Sequence, residues 1–321
     1  MEQKTLILEL YRKLYLIRTA ENAIRKYYHE DDMKSPMHMS MGEEAIVVGV
    51  SQAIGELGQV FGTYRSHALY IARTNETDQF FAEMYGKATG MAHGKAGSMH
   101  MSSPDCGLLC NSAIVGSTIP LAVGAAFANK QLATGRHTAV FFGDGATDTG
   151  VFWESLNSAA LLKIPLLFVC EDNDLAVHTP KHQRQGFHSI TDVVSKFKCS
   201  VFEIDSTDAE NVFRITQQAI SEMSETSQPV FLRCKWYRYL EHVGINEDFE
   251  AGYRSADEYK KWLVRDPIAL QRAKIIEHKI LTEDDLRQLE CELVLQVEQS
   301  ITLAKSAPFS EIDELYRGVF A

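Results

Sequence analysis

Two short segments combine residue types and spacing that could do chemistry: Gly143-Asp144-Gly145, and Asn173 further along. The first ends an apolar run at 137–142 (HTAVFF). The second follows the apolar run at 165–170 (PLLFVC), through Glu171 and Asp172. In a parallel sheet, ligands gather beyond the carboxyl ends of the strands. Asp144 offers a carboxylate there, and its flanking glycines let backbone approach a ligand closely. Amides opening the next helix would favour an anion such as phosphate. Asn173 offers a hard amide oxygen. A carboxylate, an amide oxygen and a backbone carbonyl suit Mg2+ or Ca2+ completed by phosphate oxygens. The stretch from 144 to 173 holds one helix and one strand, which returns the chain to a neighbouring strand end. Either segment alone is ordinary turn chemistry; their combination singles them out.

The elements that must position them follow from periodicity. Apolar residues recur at helical spacing over 5–29, and a small-residue helix is predicted at 43–58. A turn-rich stretch at 62–70 precedes a helix at 78–86, and 90–113 is rich in Gly, Ser, Met and His with no period. So long an irregular segment in a compact chain is usually functional or disordered, and its low charge and many Met argue for order. From 117 onward, helices at 117–134, 151–162 and 208–224 alternate with strands at 137–142, 165–170, 200–204 and 229–236. That alternation predicts an α/β fold: a mostly parallel sheet flanked by helices, with helical N- and C-terminal extensions. Asp266-Pro267 is a helix start signal, and Thr282 with Asp285 resembles a capping box. One domain over 1–321 is expected, with its core at about 40–240 and a helical extension at about 255–321.

Composition excludes several classes. Forty-five per cent hydrophobic residues suffice for a core, and the formal net charge of −11, without a basic tract, argues against a nucleic-acid partner. No apolar run approaches the roughly 20 residues a bilayer requires, and the N-terminus lacks the apolar stretch of a signal peptide. Six scattered cysteines read as buried free thiols in a reducing cytoplasm. Cys106 and Cys110, the close pair, lack the second pair a zinc site needs.

Gly143-Asp144-Gly145 followed at this interval by Asn173 resembles the thiamine diphosphate-binding motif. Gly62-Thr63-Tyr64-Arg65-Ser66-His67, Tyr85-Gly86-Lys87-Ala88-Thr89-Gly90, Gly94-Lys95-Ala96-Gly97-Ser98-Met99-His100-Met101, Ile114-Val115-Gly116, Phe152-Trp153-Glu154 and Tyr237-Arg238-Tyr239 narrow it further. In that order they resemble the α-subunit of the decarboxylating component of 2-oxoacid dehydrogenase complexes, a family that includes the pyruvate, branched-chain and acetoin enzymes. The resemblance covers nearly the whole chain. It implies that Asp144, the Asn173 side chain and the Leu175 carbonyl bind Mg2+, and that the Gly145 and Ala146 amides hold the diphosphate of thiamine diphosphate. It also implies Tyr64 and Arg65 beside the cofactor, Val115 against its aminopyrimidine, and His67 and His242 as active-site histidines, His242 also touching the cofactor.

The resemblance further implies half an enzyme. The glutamate that protonates the cofactor belongs to a separate β-subunit in that family, and the chain after 240 reads as loop and helices, with no second domain to carry it. An α2β2 assembly is expected, with a lipoyl acyltransferase as a further partner. Departures concentrate near the substrate. Asp172 stands where the family usually has Asn, Leu240 replaces a histidine, no hydroxyl follows His242, and Ile245-Asn246-Glu247-Asp248-Phe249 is atypical. They keep two other functions in view: a thiamine-dependent carboligase or transketolase-like half-enzyme, and a non-catalytic binding protein on the same fold.

Overall fold

The computed structural model describes residues 3–318, so the expected domain reaches past the described residues at both ends. Helix α1 (Gln3–Tyr27) buries Leu6, Leu10, Leu14, Ile17 and Ile24 along one stripe. It is followed by α2 (Glu44–Ile54), β1 (Gln59–Thr63), α3 (His67–Thr74) and α4 (Asp78–Met84). An irregular stretch then leads to β2 (Leu108–Ser112), α5 (Thr118–Gln131), β3 (Thr138–Gly143), α6 (Gly150–Leu161) and β4 (Leu167–Asp172). A two-residue antiparallel ribbon, β5 (Leu175–Ala176) with β6 (Thr179–Pro180), precedes α7 (Ile190–Val194), β7 (Ser200–Ile204), α8 (Ala209–Thr226) and β8 (Val230–Lys235). Helices α9 (Ala256–Leu263), α10 (Pro267–Glu277) and α11 (Glu283–Ser306) close the chain. No helix among the described residues is long and apolar enough to cross a membrane.

The six longer strands form one sheet in the order β2-β1-β3-β4-β8-β7, with every pairing parallel. Side chains alternate across it, as a pleated strand requires. Ala139, Phe141, Leu167, Val169, Val230 and Leu232 join one core with α1, α2, α8 and α11. Val140, Phe142, Phe168, Cys170 and Phe231 join a second core with α5, α6 and α7. Burial on both faces explains why these strands read as continuous apolar runs.

Three elements depart from the expectation. β1 and α3 lie within or beside the stretch read as turns, and β2 lies within the stretch read as irregular. Both strands have five residues, and Gly62 and Asn111 interrupt their patterns. Gly62 is required by space: a Cβ there would lie 2.3 Å from Asn111 Oδ1 and 2.7 Å from Leu69 Cδ2. The cysteines depart too. All six are free, but only Cys170 and Cys234 are buried, and Cys291 is exposed.

The rest of the irregular stretch is held by one buried carboxylate. Glu83 accepts from the amides of Ala92 (2.9 Å), Gly94 (3.1 Å), Ala96 (2.6 Å) and Gly97 (3.1 Å). The C-terminal tail covers this segment, with the Ala88 amide donating to Pro308 O at 2.9 Å.

Asp266 joins three parts of the fold. It caps α10 by accepting from the Ile268 and Ala269 amides (3.0 and 3.2 Å), pairs with Arg18 of α1 at 3.0 Å, and accepts from the Tyr239 hydroxyl at 3.2 Å. Thr282 and Asp285 form the reciprocal cap of α11. Asp266→Ala is expected to cost more than the ~1 kcal/mol of an ordinary N-cap, because it also leaves the mostly buried Arg18 one partner short. Urea unfolding of Asp266→Ala beside Thr282→Ala checks this; equal losses would limit Asp266 to capping.

Candidate active site

Parallel pairing sets β3 against β4 with Gly143 opposite Glu171. Asp144 and Asn173 therefore leave the carboxyl ends of neighbouring strands, which run ~4.8 Å apart. Asp144 opens a 3-10 turn (Asp144–Asp148), tied by Thr147 Oγ1 donating to Asp144 O at 2.7 Å. The helix expected at 151–162 follows this turn as α6 (Gly150–Leu161). Asn173 Oδ1 accepts from the Leu175 amide at 3.0 Å, folding its loop into an Asx turn. A second lone pair on that oxygen stays available. The two loops touch: a Cβ on Gly145 would lie 2.9 Å from Ala176 Cβ. Glycine at 145 permits that approach.

A cavity of about 240 Å3 opens beside the junction. Tyr64, Arg65, Val115, Gly145, Ala146, Asn173, Leu175 and His242, all singled out in the sequence, line it. Ile114 and Val115 stand exposed at its wall. Arg65 is fixed by donating to Met39 O (2.6 Å) and His242 O (3.1 Å), which sets the height of its guanidinium in the wall. Burial, with Arg65 and Arg238 close by, pushes the His242 imidazole down to about 3, so it is neutral at pH 7.

His67 lies elsewhere. It is fully buried, its Nδ1 2.6 Å from Glu21 Oε1, its Nε2 2.6 Å from Ser98 Oγ, and Phe80 edge-on to the ring. Both of its nitrogens are engaged, and it is not among the residues that line the cavity. It ties α1, α3 and the segment held by Glu83. Glu21 also accepts from the Ser40 amide at 2.6 Å, next to the carbonyl that holds Arg65.

The atypical residues have structural partners. Asp172 is paired with Lys181 (2.6 Å) and Arg233 (2.5 Å); despite burial, these cations hold its carboxyl below the usual range. The extra charge beside Asn173 is thereby compensated. Leu240 packs in the core. Glu241 closes its loop by exchanging backbone and side-chain hydrogen bonds with Asn246, both 2.9 Å. Asp248 pairs with Arg254.

Sequence reasoning missed four residues here. Glu43 and Glu171 both line the cavity; neither Glu43 oxygen has a partner, nor does Glu171 Oε1. Burial pushes Glu171 up to about 8 against the pull of Arg65, and burial plus Glu171 pushes Glu43 in the same direction. The His38 ring lies tilted 4.5 Å from the Tyr64 ring and edge-on 5.3 Å from that of His242, also neutral through burial. The guanidinium of Arg184 stands on the Asp144 carboxylate and reaches Asp148. An irregular stretch that buries Met37, Met39 and Met41 was the available signal for His38 and Glu43. Nothing in sequence spacing couples 184 to 144.

A divalent cation suits this arrangement. Asp144 Oδ1 is buried without a partner. Burial and Asp172 push the Asp144 carboxyl up to about 7 even with Arg184 and Lys181 pulling it down, so the protein's own cations under-compensate it. Among the described residues no three His, Cys, Asp or Glu cluster as a metal site. A cation here would depend on one carboxylate, amide and carbonyl oxygens, and ligand phosphate.

Comparison with known proteins is consistent along the chain. The family described as "Dehydrogenase E1 component" matches residues 12–313. "Pyruvate dehydrogenase E1 component subunit alpha" of Porphyra purpurea is 31% identical, with 98% of this chain and 93% of the relative aligned. The proteins of the same description from Rhizobium meliloti (31%; 97% and 89%) and Rickettsia felis (29%; 97% and 94%) align similarly.

A carboxyl raised on folding stabilises below its unfolded pKa, and that contribution is lost as pH rises through the folded value. For Glu171 the loss runs from about pH 4.5 to about 8. Glu171→Gln is therefore expected to melt above the parent at pH 8 without added ligand, with the gap closing toward pH 5. A constant gap across that range, read by thermal unfolding, would contradict a protonated Glu171.

Proposed function

The chain belongs to the dehydrogenase E1 component family, and from that premise we propose how its residues serve the reaction. It is an α subunit of a thiamine diphosphate-dependent 2-oxoacid dehydrogenase component, an oxidoreductase subunit that works in decarboxylation. Asp144, Asn173 and the Leu175 carbonyl hold Mg2+, and the Gly145 and Ala146 amides with Arg65 hold the diphosphate. Tyr64, Val115 and His242 line the space for the cofactor's rings and the substrate. The observation that carries this reading is the contact of the 144–148 turn with the 175–176 ribbon at Gly145, beside a buried Asp144 whose Oδ1 has no partner.

When bound, thiamine diphosphate supplies an electron sink for decarboxylating a 2-oxo acid. The residues of this chain bind and orient. Arg65, anchored on two carbonyls, presents a fixed donor fork toward anionic oxygen. The neutral His242 imidazole offers a hydrogen-bonding nitrogen at the cavity wall. His67 acts at a distance, through Glu21 and the Ser40 strand of contacts.

A partner subunit completes the site. Ile114, Val115, Leu121 and Phe127 are exposed from the cavity wall along α5, an apolar surface of the kind that protein partners cover. A β-subunit seated there supplies the missing glutamate in an α2β2 assembly, and a lipoyl acyltransferase takes the acyl group. Six free cysteines suit the cytoplasm. The chain acts as one unit, its core at about 40–240 carrying the site and helices α10 and α11 of the C-terminal extension bracing α1 and α4.

The second reading, a carboligase or transketolase-like half-enzyme, is favoured by the 240–249 loop, which Glu241, Asn246 and Asp248 close in this chain's own way. Calorimetry with thiamine diphosphate and Mg2+ is expected to show binding that Asp144→Ala weakens at least ~100-fold, the upper end of what losing a residue that merely supports a metal ligand costs. Undiminished binding by Asp144→Ala would overturn the site. With its partner, reductive acyl transfer to lipoamide from a 2-oxo acid supports the dehydrogenase reading, and carbon–carbon bond formation the second. Robust turnover by the chain alone would contradict a split site.

A further inference from the structure

Arg184 is the cation paired most directly with the Asp144 carboxylate. Its guanidinium pairs with Asp144 on one side and Asp148 on the other, while Nε is buried without a partner. Gln185 beside it donates to Thr147 Oγ1 (3.1 Å) and Asp148 Oδ1 (3.2 Å), so the two residues clasp the whole 144–148 turn. The loop that carries them is anchored upstream, where Lys181 bonds Asp172 and its amide donates to Asp174 O at 2.9 Å. Arg184 thus reaches over the turn from a fixed base.

We propose that Arg184 is the internal counter-cation of Asp144 and a diphosphate-binding residue: metal entry displaces its guanidinium from the carboxylate onto the phosphate oxygens held at Gly145 and Ala146. This rests on the metal reading above. A guanidinium and a divalent cation compete for the same carboxylate oxygens. Once displaced, the guanidinium keeps Asp148 but has lost one anion, and its unpartnered Nε adds a free donor. The diphosphate at the adjacent amides is the new anion within its reach, and a planar donor fork suits paired phosphate oxygens. Arg184 therefore opposes the metal alone and favours the metal together with the diphosphate, which makes loading of the two mutually dependent.

The test uses the full chain in the assembly it purifies in, with Mn2+ as the metal probe, followed by the paramagnetic signal of the free ion. Thiamine diphosphate is titrated at saturating Mn2+, followed by fluorescence of Trp236 in the cavity wall. Arg184→Gln is expected to bind Mn2+ alone about tenfold more tightly and thiamine diphosphate about tenfold more weakly, each the size of one charge-assisted contact. Arg184→Lys, a charge without the fork, should restore the metal affinity of the parent more fully than its diphosphate affinity. Parallel losses of both affinities in Arg184→Gln, or no change in either, would overturn the proposal. Asp144→Asn separates the two layers: loss of Mn2+ binding there keeps the metal site whatever Arg184 does, and retained Mn2+ binding removes the metal site and this proposal together.

Discussion

In-register pairing of β3 with β4 is the constraint from which the site is built. Each strand is buried on both faces, so its register is set by two cores at once, and a slip by one residue would turn every side chain to the wrong core. The same register places Gly143 beside Glu171 and delivers Asp144 and Asn173 to adjoining strand ends. The chemistry of the site is thereby tied to the packing of Phe142, Phe152, Phe168 and Phe231, none of which has to meet a ligand polar group.

The central sheet was legible because burial on both faces writes itself as unbroken apolar runs, as in β3, β4 and β8. Caps at Asp266 and Thr282 were legible because their hydrogen bonds are local. β1, β2 and α3 were hidden because they are short and because Gly62 and Asn111 answer to each other across the sheet, a pairing no local window contains. His67 illustrates the same limit: its chain position suits a site residue, but its partners Glu21 and Ser98 come from distant segments. Arg184, Glu43 and Glu171 matter through long-range charge and burial, which spacing does not encode.

Electrostatics explains why the site is an unusual place in the fold. Asp172 is fully compensated by Lys181 and Arg233, whereas Asp144, Glu43 and Glu171 are not. Uncompensated carboxyls are costly in a core. Glu43 and Glu171 line one cavity, and Asp144 sits between Gly143 and Gly145, which line it too; their unpartnered oxygens mark where a cation or a donor-bearing molecule is to be received. The loop at 240–249 is tied down in contrast, Asp248 to Arg254 and Glu241 to Asn246.

The grip of Glu83 on four amides reaches further than its own segment. Ser98, one residue beyond the last of those amides, bonds His67; His67 bonds Glu21; Glu21 bonds the Ser40 amide; and the neighbouring carbonyl of Met39 holds Arg65. A stretch of chain with neither helix nor strand is in this way the far end of a hydrogen-bonded truss. Its tautness, transmitted hand to hand through a buried imidazole, sets where a guanidinium in the cavity wall comes to rest.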